Sequence, residues 1–191
     1  GLTYDFMYKS NVDAAYRKTK LQQADSLEEM VNILAGLPLE FSPGDEWNYS
    51  VSTDVLGYLV EVLSGMKLDE YFKKNIFEPL DMVDTDFSCP EEKKDRLAAL
   101  YEHDPKGDPR LLEIPFLNTK MLSGGGGLFS TMSDYYNFCS MIIGQGEFNG
   151  KRLIGRKTIE LMSCNHLPNG QDLTEMSKSA FSETPFAGVG F

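Results

Sequence analysis

The stretch Phe41-Ser42-Pro43-Gly44-Asp45-Glu46-Trp47-Asn48-Tyr49-Ser50, with the apolar-periodic run from Ser52 to Ser64 behind it, decides how this chain reads. Ser42-Pro43-Gly44-Asp45 is a polar turn that leads into Trp47 and Tyr49. From about Ser52 or Thr53 onward, Val55, Leu56, Leu59, Val60 and Leu63 recur three or four residues apart, which predicts a helix with those residues on its buried stripe. Gly65 stands where a left-handed C-terminal cap would be.

Outward from that segment the pattern stays helical. Ser26 opens the first clear helix, and Glu29 completes a capping box. Met30, Val31, Ile33 and Leu34 form its apolar face, and Gly36 with Pro38 stops it. A third helix runs from about Asp69 to Phe77 and ends at Glu78-Pro79, because a residue before proline resists the helical region. Residues 83–120 read as connecting loops with at most a short helix or strand pieces. They hold a charged patch from Glu91 to Arg96 and the turn-rich Asp104-Pro105-Lys106-Gly107-Asp108-Pro109. Ser130 or Ser133 caps a helix through Ile143, ended by Gly144, with Tyr135, Phe138, Cys139 and Ile142 inward. Asn149-Gly150 is a tight two-residue turn between short extended pieces. A last helix near Arg156 to Ser163 carries Ile159 and Met162, and the tail from Pro185 to Phe191 reads as the beginning of a strand. The fold class expected is mainly α, with residues 1–191 as one domain and no internal boundary.

Composition narrows the function classes. Hydrophobic residues make up 41% and aromatics 12% of 191 residues, enough for a real core. No apolar run reaches the ~18 residues of a membrane span. Gly1 to Asp5 lacks the features of a signal peptide. A cytoplasmic location is the expectation, with the periplasm or secretion open because a leader would precede residue 1. The chain carries 18 Lys plus Arg against 29 Asp plus Glu, a net charge of −11, which argues against nucleic acid or an anionic membrane as partner. Cys89, Cys139 and Cys164 are far apart and suit buried thiols better than a disulfide framework or zinc site. His103 and His166 are the only histidines, and no HExxH pattern exists, so neither a metal nor an organic cofactor is expected.

Most nucleophile and phosphate signatures fail. Gly150-Lys151 lacks both the upstream glycine and the following Ser or Thr of a phosphate loop, and Gly124 to Gly127 is followed by no Lys. A GxSxG elbow is absent. Ser64-Gly65-Met66-Lys67 is a literal Ser-x-x-Lys, but Ser64 closes a helix. A nucleophile of this kind belongs at a helix N-terminus, where free N–H groups meet the oxyanion, so the match reads as coincidence. Tyr49 has two readings: an aromatic tucked under the next helix, or a catalytic phenol. The second needs a nearby cation to stabilise a phenolate whose ordinary pKa is near ~10. No adjacent Lys supplies one.

Several ordered segments resemble the serine β-lactamase-like hydrolases: class C β-lactamases, the related carboxylesterases and D-amino-acid peptidases. Gly1-Leu2-Thr3-Tyr4-Asp5-Phe6 resembles the residues just after the family's His-Thr-Ser-Gly segment. Phe41-x-Pro43-Gly44-x-x-Trp47-x-Tyr49-Ser50 is succeeded by Asp54-x-Leu56-Gly57, Val60-Glu61 and Ser64-Gly65. Ile76-Phe77-x-Pro79-Leu80-x-Met82-x-x-Thr85, then Gly124-Gly125-Gly126-Gly127-Leu128-x-Ser130-Thr131, Asp134-Tyr135 and Met162 continue it.

The resemblance implies that Tyr49 matches the Tyr of the family's Tyr-x-Asn motif, which takes the proton from the nucleophilic Ser and returns one to the leaving group. It places Ser50, Val51, Gly125 and Gly126 at the substrate. Val51 stands where class C β-lactamases have an Asn, a departure that tilts the reading toward ester hydrolysis. The family's Ser-x-x-Lys lies upstream of residue 1 and its Lys-Thr-Gly-type strand downstream of Phe191. The chain is therefore expected to be the central helical portion of an α+β β-lactamase/transpeptidase-like fold, with most of the antiparallel sheet missing. The implied function is part of a serine hydrolase cleaving ester or amide bonds through an acyl-enzyme, carboxylesterase-like, with this piece alone inactive. The alternatives are a β-lactamase or D-alanyl peptidase of the same mechanism, or a catalytically dead binding or regulatory module. Substrates would be a small ester, a lactam or a short peptide. Apolar surface left without its sheet could be covered in a homodimer of the piece.

Overall fold

Ser10 begins the helical part of the chain. Its hydroxyl accepts the N–H groups of Val12 and Asp13 while the Asp13 carboxylate accepts the N–H of Ser10 at 3.0 Å, a reciprocal cap that starts α1 (Asn11–Thr19). The structure, a computed structural model, describes residues 1–102, 107–113 and 120–170. α1 lies ahead of Ser26, so the expectation that Ser26 opens the first helix is corrected. The Ser10–Asp13 cap is a readable start signal, but only Val12, Ala14, Ala15 and Tyr16 give its stripe apolar character. Asp13 is fully buried. Burial opposes its charge, but the N–H groups of Lys9 and Ser10 and the Arg17 guanidinium outweigh that and hold its carboxyl below the usual range.

In α2 (Leu27–Ala35) the Ser26 hydroxyl accepts the Glu29 N–H at 3.1 Å. Glu29 reaches one residue beyond the expected box, to the N–H of Asp25 at 2.8 Å. α3 (Ser52–Ser64) ends at Gly65 in the left-handed conformation, φ 69°. Its packing differs from the predicted stripe. Val55 and Val60 are half-buried, whereas Leu56, Leu59, Val62 and Leu63 are exposed. The helix packs through Asp54 and Gly57, with half-buried Val55, Tyr58 and Val60 also against the core. A Cβ on Gly57 would lie 3.0 Å from Leu68 Cδ2 and 3.3 Å from Leu27 Cδ1, so the small residue sets how closely α3 approaches its neighbours.

α4 (Leu68–Phe72) runs into a wider π turn over Lys73–Phe77. The expected third helix is therefore α-helical only in its first part. Pro79 brings no N–H, and the chain leaves through i−5 bonds from Glu78 N–H to Lys73 C=O and from Met82 N–H to Phe77 C=O, both 2.9 Å. Residues 83–102 and 107–113 hold a 3₁₀ segment at Glu91–Arg96 and an antiparallel pair, β1 (Leu100–Glu102) with β2 (Arg110–Leu112). His103 lies outside the described residues, as does the 185–191 tail.

α5 (Met132–Ile143) is capped by neither Ser130 nor Ser133 but by Thr131, whose hydroxyl accepts the Asp134 N–H at 3.2 Å. Its inward face holds Met141, with Phe138, Cys139 and Ile142 half-buried, while Tyr135 is turned to solvent. β3 (Glu147–Phe148) and β4 (Lys151–Arg152) pair across Asn149-Gly150, both with positive φ, as the turn signal predicts. α6 (Arg156–Met162) buries Ile159 and leaves Met162 largely exposed. The cysteines depart from expectation too: Cys89 and Cys139 are half-buried and Cys164 is exposed.

Two apolar clusters hold these elements together. One gathers Tyr16, Leu21, Leu27, Met30, Val51, Leu68, Phe87 and Met121, and the other Phe77, Leu80, Met82, Met141 and Ile159. Phe72 packs against both. Between α5 and the segment after Met82, the buried Asp134 carboxylate accepts the Asp84 N–H and the Thr85 hydroxyl, each at 2.8 Å. No helix among the described residues is long and apolar enough to cross a membrane. Leu80 has no exposed surface, so Leu80→Ala is expected to cost about 2–5 kcal/mol. Urea unfolding measures it, and a loss under about 1 kcal/mol would mean that the second cluster is not tightly packed.

Candidate functional site

The N-terminal segment sets the site. It runs beside residues 48–51: Asn48 Nδ2 donates to Leu2 C=O at 2.7 Å, and Val51 N–H to Thr3 C=O at 3.4 Å. This brings Tyr4 against Tyr49, ring centroids 4.9 Å apart and tilted by 44°. Phe6 stacks on Tyr4 at 4.8 Å and 18°. The three rings line one wall of a cleft of about 500 Å³ whose other lining includes Met121, Ser123 and Gly125–Gly127.

Another part of the lining is set by one carboxylate. Asp54, in the first turn of α3 and 2% exposed, accepts the Ser123 hydroxyl at 2.6 Å and the Gly125 N–H at 3.2 Å. The glycines allow this approach. A Cβ on Gly124 would fall 2.4 Å from Thr53 C=O, and one on Gly125 would meet Thr53 Oγ1 at 2.9 Å, Asp54 Oδ2 at 3.0 Å and the Tyr4 hydroxyl at 3.1 Å. Tyr4 is 9% exposed. Burial, with the negative charge of Asp54 and then Tyr49 adding to it, pushes its phenol up to about 12.

Of the residues expected at the site, Tyr49, Gly125 and Gly126 share this cleft. Tyr49 is 38% exposed, so its ring is reachable from solvent. Ser50 and Val51 do not line it. Ser50 Oγ lies 2.6 Å from Ser52 Oγ and accepts the Ser52 N–H, while Val51 is 1% exposed and packs in the first apolar cluster as the cap residue of α3. At Val51 the backbone leaves the extended conformation to begin α3 (φ −70°, ψ 18°), so strand alternation does not set its direction. Ser64 and Lys67 bind different partners: Ser64 Oγ donates to Val60 C=O at 2.6 Å, and Lys67 pairs with Glu61 at 3.7 Å.

Lining residues outside the expected site include Tyr4, Phe6, Asp54 and Ser123. Tyr4 is extended and Phe6 lies in the 3₁₀ turn Asp5–Met7, so no strand alternation marks the pair. The contact of Asp54 with residues 123–125 spans about seventy positions, and no local pattern marks it. A second, smaller cavity of about 130 Å³ lies beside Asp84, Lys93 and Arg96. There hydrogen bonds from Arg96 and then Lys93 hold the Asp84 carboxyl at about 2. Among the described residues no cluster of His, Cys, Asp and Glu has the makings of a metal site.

The same cleft and helices can be set beside known proteins. The family model described as Beta-lactamase matches residues 1–182. A Mycobacterium tuberculosis protein, MT1414, is 30% identical over all of this chain and 47% of its own length. Lovastatin esterase of Penicillium rubens is 28% identical over all of this chain and 48% of its own. The chain thus spans about half the length of these curated relatives. Among solved structures, EstCE1, a hydrolase with promiscuous acyltransferase activity, superposes with a TM-score of 0.70 at 24% identity, covering 86% of this chain and 48% of that one. That likeness shows the fold: the described residues are helix-rich with small sheets and correspond to part of a β-lactamase/transpeptidase-like fold.

The cleft yields two expected outcomes. Asp54→Ala removes the acceptor of the Ser123 hydroxyl and one of the two acceptors of the Gly125 N–H, which also donates to Ser123 Oγ, and is expected to cost about 1–3 kcal/mol in chemical unfolding, with Ser123→Ala costing less; equal stability of Asp54→Ala and the unaltered protein would remove the carboxylate's anchoring role. Tyr4 titrates at 10.0 when unfolded and about 12 when folded. Its folded-state pKa is raised, so its contribution to stability is complete below pH 10 and is lost as pH rises toward 12. Absorbance at 295 nm should show one late-titrating phenol fewer in Tyr4→Phe, Tyr16 being raised by burial in both proteins.

Proposed function

Since the chain belongs to the Beta-lactamase family, we propose that it is part of a serine hydrolase that cleaves ester bonds through an acyl-enzyme, with Tyr49 as the proton-transfer residue. The observation that carries this reading is the position of Tyr49: a solvent-reachable phenol lining the same cleft as the Gly125–Gly126 backbone. A hydroxyl nucleophile entering there would find an acceptor for its proton and closely approachable backbone in one cleft.

The family resemblance implies a nucleophilic Ser and its Lys outside these 191 residues; within them, Ser64 binds Val60 C=O and Lys67 pairs with Glu61. That external Lys is also the cation a Tyr49 phenolate requires. Among the described residues lining the cleft there is no Lys or Arg. In the first half-reaction the Ser oxygen attacks the ester carbonyl and its proton passes to the Lys–Tyr49 pair. The alcohol leaves with a proton returned by Tyr49. Water, deprotonated by the same pair, then releases the acid and restores the Ser. By itself the 191-residue chain would be inactive. Ester hydrolysis is favoured over lactam hydrolysis because Val51, at the position of the family's side-chain-binding Asn, is buried in the core and offers no amide to a substrate.

Fluorophosphonate labelling of the full-length protein, read by peptide mapping, is expected to give one adduct on a Ser outside this segment. Tyr49→Phe in that protein should lower turnover of a p-nitrophenyl ester by about 10²-fold or more. Undiminished ester hydrolysis by that variant removes the role from Tyr49. Faster turnover of a chromogenic lactam or a D-alanyl peptide than of the ester would reassign the substrate class, and absence of any adduct would favour a binding module.

A further inference from the structure

We propose that Gln22 is a specificity-determining residue of the cleft: its carboxamide hydrogen-bonds a neutral carbonyl on the acyl chain of the substrate. This deepens the reading of the cleft as the active site of an ester hydrolase and rests on it.

Gln22 lines the same cleft as Tyr49 and the Gly125–Gly126 backbone. Its residue is exposed, and its side chain makes no hydrogen bond among the described residues. The neighbouring polar groups are differently placed. The Asp54 carboxylate already accepts the Ser123 hydroxyl and the Gly125 N–H, so Ser123 has no second hydrogen to give. Gln22 keeps two N–H donors and a carbonyl acceptor for a molecule in the cleft. In a small-molecule site the few polar groups on the lining are what fix the orientation of the ligand.

The backbone that presents this amide is held firmly. Gln22 is the middle residue of the 3₁₀ turn Leu21–Gln23, entered from Lys20 in the left-handed conformation at φ 51°. The Gln23 N–H donates to Lys20 C=O at 2.8 Å and the Ala24 N–H to Leu21 C=O at 3.3 Å. Leu21 and Ala24, on either side, are buried in the same apolar cluster as Met121 of the cleft lining. From outside, Lys120 pairs with Asp25 at 3.1 Å, which ties the turn to the segment leading to Met121 and Ser123. Binding therefore has to order the rotamers of Gln22 and not its backbone.

The rest of the lining selects the kind of group this amide meets. Asp54 is the charged side chain there, and no Lys or Arg stands among the described lining residues. An anionic acyl group would meet like charge without a counter-ion. A plain alkyl chain would strip water from the amide and return no hydrogen bond. A ketone, ester or amide carbonyl on the chain accepts a Gln22 N–H and brings no charge. The volume of about 500 Å³ leaves room for an acyl chain of several carbons.

The test uses the full-length protein with two pairs of p-nitrophenyl esters, each pair equal in chain length: pentanoate with levulinate, and heptanoate with 6-oxoheptanoate. Gln22→Leu, which keeps bulk and removes the polar atoms, is expected to lower the oxo-to-alkyl ratio of kcat/KM in at least one pair by about threefold to tenfold, carried mainly by KM. Gln22→Glu keeps the shape and loses the N–H donors. It is expected to lower the same ratio, which separates loss of the donor from gain of apolar surface. Thermal unfolding verifies that each variant is folded, and should Gln22→Leu fail to fold, Gln22→Glu decides alone. Ratios unmoved in folded variants overturn the proposal, as does a ratio lowered by Gln22→Leu and not by Gln22→Glu. If the full-length protein hydrolyses no ester, the active-site reading fails by itself, and calorimetric binding of 6-oxoheptanamide still decides Gln22: binding weakened in both variants supports its role, and equal binding overturns it.

Discussion

The cleft depends on the Asp54 carboxylate. It is buried at the first turn of α3 and takes hydrogen bonds from the Ser123 hydroxyl and the Gly125 N–H, joining two parts of the chain about seventy residues apart. A buried carboxylate is tolerable only where such donors satisfy it. A glycine run is what lets the donors come close enough, because side chains at Gly124 or Gly125 would collide with Thr53, Asp54 and Tyr4. Local backbone freedom, a buried charge and the position of the cleft wall are therefore one arrangement.

The same approach explains why α3 turns its aliphatic side chains outward. A helix can face its neighbours through only one side, and here that side carries Asp54 and Gly57, against which Leu27 and Leu68 pack. Leu56, Leu59, Val62 and Leu63 are left exposed, as are Met132, Tyr135 and Tyr136 on α5. Scattered exposed apolar residues are ordinary, but a contiguous stripe on one helix is not. The chain spans about half the length of its curated relatives.

Much of the fold could be read from local pattern. Ser26 as a cap, Gly65 as a left-handed terminator and Asn149-Gly150 as a hairpin turn are each decided by the backbone preferences of the residues themselves. Where local reading failed, a tertiary contact had overruled it. Tyr135 has helical spacing with Phe138 and Ile142, yet α5 is rotated so that Met141 and the buried Asp134 face inward, the latter bound to Thr85 and Asp84. α1 escapes a reading by periodicity because its polar composition hides a short apolar stripe beneath a good cap.

By itself the sequence determined the helical class of the chain and most of its turns, because caps, periodicity and left-handed positions depend on neighbours a few residues away, whereas the candidacy of Tyr49 and the glycine run came from resemblance to a known family. Only the tertiary structure decided which face of each helix is buried, that Val51 belongs to the core, and that Tyr4 and Phe6 complete the wall beside Tyr49. Those outcomes turn on contacts between segments forty to seventy residues apart, such as Asn48 with Leu2 and Asp54 with Gly125. No short-range preference encodes such pairings, since they form only when packing of the apolar clusters has brought the segments together.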